Sequence, residues 1–176
     1  MANVLNDLSK KYSLATRITH WLTVLGIFAL IPLGIKMHGM DVSADKITLY
    51  QAHTFLGIFL LLLTLFRVYL FFKHKRPPHL KTGSKFNDKL VVWNHNAFYF
   101  VILLMTFSGL AINVSTGLFD VFKSGDINQF PVMEGVKPAI SHEILYFILA
   151  ILILMHIVGF LKHWIFKKEN TFKRMF

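Results

Sequence analysis

The sequence predicts an all-α fold, an integral membrane four-helix bundle with both termini cytoplasmic. Three observations predict it. The chain of 176 residues is 55% hydrophobic and only 16% charged, where a soluble domain carries about a quarter charged residues. Its apolar residues gather into four runs, each near or above the ~20 residues that cross a hydrocarbon core. Its basic residues gather in alternate connections between those runs, which is the charge signature of a polytopic chain.

The first run covers about residues 16–36. It follows a polar stretch, lacks a small-residue cleavage site and is long enough to span. It reads as a retained helix rather than a cleaved signal. Pro32 and Gly34 near its end are expected to kink it. The second, third and fourth runs cover about residues 50–72, 90–115 and 139–166. Inside lipid the backbone must bond to itself, so all four are expected to be helices. The breakers Gly39, Pro77, Pro78, Gly83, Gly117, Gly125, Pro131, Gly135 and Pro138 fall between them. No repeat or low-complexity tract interrupts this single domain, residues 1–176.

Fourteen basic residues lie on one side: Lys10, Lys11 and Arg17; Lys73, Lys75, Arg76, Lys81, Lys85 and Lys89; Lys162, Lys167, Lys168, Lys173 and Arg174. The other side has Lys36, Lys46, Lys123 and Lys137, mixed with Asp41, Asp45, Asp120, Asp126 and Glu134. The positive-inside rule then puts both termini and the second connection in the cytoplasm. The formal charge of +10 therefore belongs to a membrane protein. It does not indicate a nucleic-acid partner, because the charges lie between apolar runs rather than among stacking aromatics. The chain has no cysteine. That excludes disulfides, zinc thiolates, cysteine-held iron–sulfur clusters and haem attached through C-x-x-C-H.

Of nine histidines, His38, His74 and His79 fall at helix ends or in connections and read as solvated. His20, His53, His95, His142 and His156 lie within spans, and His163 at the edge of the last. Ionisable residues inside a span are expensive and point to function. The alternative is polar glue between helices, which suits one histidine better than five. His142 and His156 are 14 residues apart, nearly four turns, so they share a face about 21 Å apart in depth at ~1.5 Å per residue. Two haems at two depths require this arrangement. By chain direction, His53 lies level with His142 at the outer side and His20 level with His156 at the inner side. The expected iron ligands are those two pairs, with His95 an alternative inner ligand. Neutral imidazole is a common metal ligand, and cofactor sites in bundles are built from facing helices. Arg67, 14 beyond His53, sits at the inner level, where a haem propionate could answer its charge; snorkelling is the competing reading. Gly57 and Gly159 would let a flat macrocycle approach the backbone, or serve close helix packing.

These residues stand in motifs that resemble the bacterial cytochrome b-561 family, which is related to the cytochrome b subunit of nickel–iron hydrogenases. They are R-I-T-H-W (17–21), H-T-F-L-G (53–57), N-H-N-A-F-Y (94–99), S-G-L (108–110), S-H-E-I-L (141–145), M-H-I-V-G-F-L-K-H-W (155–164) and E-N-T-F-K-R-M (169–175). The resemblance covers nearly the whole chain. It implies four helices, two non-covalent b haems held at positions matching His20, His53, His142 and His156, and exchange of electrons with membrane quinone. Some members resemble superoxide oxidases that reduce ubiquinone. His163 matches a family position near the inner haem and is the expected quinone contact; the competing reading makes it an anchor in the aromatic belt. R-I-T-H resembles the hydrogenase-type subunits more than the stand-alone ones, and the outer loops show no cationic funnel for an anionic donor.

Three functions remain open from sequence. One is a self-contained oxidoreductase joining an outer donor to quinone. The second is a haem-bearing anchor that serves a partner redox subunit. The third is a non-redox protein whose histidines carry metal. No triad, phosphate-binding glycine loop or carboxylate pair supports hydrolytic or phosphoryl chemistry.

Overall fold

A computed structural model describes residues 7–176. Helix α1 spans Leu14–His38, α2 Ala44–Lys73 and α3 Lys85–Thr116. A short α4, Leu118–Ser124, precedes α5, Lys137–Leu161, which runs on as a π-helical turn over Lys162–Phe166. A 3-10 turn, Thr171–Arg174, ends the chain. Four helices are long and apolar enough to cross a membrane. They reach a few residues beyond the runs read from hydropathy. The helix ends are set by caps in the polar flanks, where Ser13 and Ser43 accept from the amides of Thr16 and Lys46. Pro32 lies within α1, which continues through it to His38.

The outward surface matches a lipid setting. Phe28, Phe55, Phe100 and Leu154 are each more than 60% exposed in their spans, a face no soluble bundle would leave bare. Several span hydroxyls bond within their own helix. Thr23 donates to the Thr19 carbonyl, Thr64 to Leu60 and Thr106 to Ile102, so these three donors are not stranded in hydrocarbon.

The close helix pairs are α1 with α2, α2 with α3 and α3 with α5. The buried core is a slab of Ile27, Leu60, Leu63, Val101, Ile102, Leu149 and Leu152. Every spanning helix contributes to it at mid-length. The described N-terminal flank and the C-terminal segment share one end of the bundle, since the Tyr12 amide donates to the Arg174 carbonyl. The α2–α3 connection lies there too, as Arg174 donates to the Pro78 carbonyl. This is the end that carries most of the basic residues, called here the basic end. The far end holds the α1–α2 connection, α4 and the chain leading to α5.

Candidate functional site

Each spanning helix places two special residues, 14 apart and on either side of the aliphatic slab: His20 and Gly34, His53 and Arg67, His95 and Gly109, His142 and His156. Fourteen residues close almost four turns, so each pair looks toward the same interior. Antiparallel packing then sorts the eight by level. Gly34, His53, Gly109 and His142 gather toward the far end; His20, Arg67, His95 and His156 gather toward the basic end.

At the far end the His53 and His142 rings stand 6.2 Å apart, centroid to centroid, at 67°. Each is backed by a glycine of a neighbouring helix. A Cβ on Gly34 would lie 3.4 Å from Cε1 of His53, and one on Gly109 would lie 3.3 Å from Cε1 of His142. Ser108 lies 3.0 Å from His142 Nδ1 and spends its one proton on the Met105 carbonyl. With that proton so placed its oxygen accepts from Nδ1–H, and the lone pair of His142 is then on Nε2. Beside this pair, Thr54 donates to Asn113 Oδ1 across α2 and α3, and Asn113 Nδ2 donates to the Gly109 carbonyl. His53 lies in the middle of the third turn of α2, deeper than its place near the start of the apolar run, because the helix starts at Ala44.

At the basic end His20 and His156 stand 6.4 Å apart at 55°. His95 packs edge-on against His156 at 5.2 Å and donates from Nδ1 to the Val91 carbonyl. The Arg67 guanidinium lies over the Tyr99 ring face at 5.7 Å. One guanidinium nitrogen, Nη1, is buried without a partner, so the site is short of an anion.

His163 is buried, and its Nδ1 lies 2.7 Å from Glu169 Oε2. A Cβ on Gly57 or Gly159 would meet nothing within 4 Å. The glycines that touch imidazoles are Gly34 and Gly109. The 14-residue interval from His20 and His95 was the signal that could have found them. Ser108 carried no such signal, because its role exists only across α3 and α5.

The family model for prokaryotic cytochrome b561 matches residues 11–176. The chain belongs to the prokaryotic cytochrome b561 family. A search among curated proteins matched none. As a cytochrome b561 it is a multi-pass bacterial membrane protein with a haem-b electron-transfer role. Its residues fit that cofactor. With metal–imidazole bonds of about 2.0–2.1 Å, two imidazoles on opposite sides of one metal stand about 6.3 Å apart between centroids. Both cross-helix pairs meet that spacing; His95 and His156 are about an ångström short of it. The buried Arg67 nitrogen suits a propionate. Among the described residues no group of three or more His, Cys, Asp or Glu forms a cage for a bare ion.

Proposed function

We propose that this cytochrome b561 holds two b haems and moves electrons through the bilayer between a donor at the far end and the quinone pool. His53 and His142 are the ligands of one haem; His20 and His156 are the ligands of the other. The observation that carries the reading is the pair of cross-helix imidazole couples on opposite sides of one aliphatic slab, both at bis-imidazole spacing. Bound haem b supplies one-electron redox chemistry, and the protein's part is to orient, tune and insulate it.

The residues have distinct tasks. Ser108 and Gly109 hold the His142 ring. Arg67, itself braced by Tyr99, meets a propionate of the basic-end haem. His95 packs against His156 as a neighbour rather than a ligand. His163 is the quinone contact: with Nδ1 bonded to Glu169, its Nε2 is the nitrogen left for a quinone oxygen. The concentration of basic residues supports a cytoplasmic basic end in the inner membrane.

The enzymatic form of this reading is a superoxide:ubiquinone oxidoreductase. The other form is an anchor that passes electrons between quinone and a partner redox subunit, which the hydrogenase-like R-I-T-H segment favours. Turnover of the purified single chain separates the two.

The test is a haem count with ligand variants. Two extractable haems per chain are expected. His53→Ala and His142→Ala should remove one spectral component, and His20→Ala and His156→Ala the other. His95→Ala should leave both. A count of one or none sinks the two-site reading; loss of the basic-end haem in His95→Ala but not in His20→Ala moves the ligand to α3.

A further inference from the structure

The two helices that carry His20 and His156 are not a closely packed pair. Helix α1 packs on α2, and α5 packs on α3. Something else must hold the two imidazoles at their spacing, and the C-terminal segment touches both helices beside those residues. Trp21 directly follows His20 and meets its ring edge-on at 5.4 Å. Its indole Nε1 donates to the Met175 carbonyl at 3.1 Å. The indole stacks on Phe172 at 6.2 Å and 13° and meets Phe176 at 5.0 Å. Phe172 in turn packs on Phe160 of α5 at 4.5 Å, and Phe160 is one turn beyond His156. A continuous aromatic bridge thus runs from α1 through the chain end to α5.

The segment is pinned where it crosses. Arg174 is 5% exposed. Its Nε donates to the Lys10 carbonyl and its Nη2 to the Pro78 carbonyl, and its guanidinium faces the Tyr12 ring. Three stretches of chain at the basic end are joined through one fork of donors. The approach to the segment is held as well, by the Glu169 bonds to the His163 side chain and carbonyl. Helix packing alone leaves α1 and α5 free to part at this end. The far end has no such need, since its two imidazoles sit on α2 and α5, each bound directly to α3.

Resting on the two-haem reading, we propose that Thr171–Arg174 with Met175 and Phe176 is a positioning clasp, which sets the His20–His156 separation and thereby the ligation of the basic-end haem. Trp21, Phe172 and Arg174 are its positioning residues. Opening the clasp lets α1 drift from α5, so one imidazole can leave its iron while the other stays.

The experiment compares the full chain with Phe172→Ala, Trp21→Ala, Trp21→Phe, Arg174→Ala and a chain ending at Asn170. Each purified holoprotein is measured for haem content, for low-spin and high-spin signals by electron paramagnetic resonance, and for carbon monoxide binding to the reduced protein. The expected result is loss of the low-spin signal from one haem, assigned by comparison with His20→Ala, and a new carbon monoxide-reactive component. The far-end haem should keep its signal. Trp21→Phe, which retains the aromatic bridge, should retain most of the parent spectrum. If the truncated chain does not insert, Phe172→Ala, which leaves the backbone and the Arg174 fork in place, carries the test. Two unperturbed low-spin haems in Phe172→Ala and Trp21→Ala overturn the clasp alone. Equal damage to both haems also overturns it, because that marks the segment as general scaffolding. Fewer than two haems in the parent overturns the two-site reading itself, and the clasp with it.

Discussion

Gly109→Ala probes how closely the far-end site is built. The added Cβ would lie 3.3 Å from Cε1 of His142 and 3.6 Å from Nδ1. Carbon atoms rest about 3.5–4.0 Å apart, so the ring must yield by about 0.2–0.7 Å. It cannot slide freely, because Ser108 holds Nδ1 at 3.0 Å. Functional groups tolerate about 0.5 Å of misplacement, and overpacking of this size costs about 1–3 kcal/mol. Carried into haem affinity, that is about 5- to 150-fold. The bundle itself should not weaken, since Ala is favoured over Gly within a helix by about 0.8–1.0 kcal/mol. The expected outcome is therefore a split: weaker retention of one haem, with thermal unfolding of the haem-free protein unchanged or raised. The series grades itself. Gly34→Ala meets His53 at 3.4 Å and should do less. Haem transfer to an excess of apomyoglobin, followed for the two spectral components separately, reads the effect. Parent-like retention in Gly109→Ala would refute the reasoning.

Ser108→Ala removes the acceptor of His142 Nδ1–H. Loss of such an outer partner typically weakens a site 10- to 100-fold, and a rise in the potential of the far-end haem alone is expected by redox titration. Arg67→Ala should lower the content of the basic-end haem, and Arg67→Lys should restore charge without the fork that suits a carboxylate; equal haem content in all three proteins would assign Arg67 to snorkelling. Thr54→Val breaks the Thr54–Asn113 bond across α2 and α3 and should cost about 0.6 kcal/mol, and no more than about 1.7, in a reversible detergent unfolding assay. His163→Ala should raise the quinone KM with both haem spectra intact; unchanged quinone kinetics would leave His163 as a brace for Glu169.

Much of this protein is determined by its sequence directly, because a bilayer removes the usual ambiguities. A span must be helical, must be about twenty residues long and must keep charge out, so 55% hydrophobic composition in four runs leaves little freedom in the fold. The same cost made His20, His53, His142, His156 and Arg67 conspicuous, and the 14-residue interval on α5 follows from helix geometry alone. Depth along a helix is likewise a sequence quantity, which is why level-matched partners could be expected before any helix was packed. Lateral neighbours are not. Whether His20 or His95 approaches His156 at bis-imidazole spacing depends on how α1 and α3 rotate and lean against α5, and only the packed bundle decides it: 6.4 Å for one and 5.2 Å for the other. Gly34, Gly109 and Ser108 matter only because another helix brings a ring against them. The segment 169–175 read as a polar tail with a family motif. Its meaning, a bridge between two helices that do not pack together, arises when residues more than 150 positions apart, Trp21 and Met175, meet at 3.1 Å. Local periodicity carries no record of such contacts, since they are selected by tertiary geometry rather than by the chain's own helical repeat.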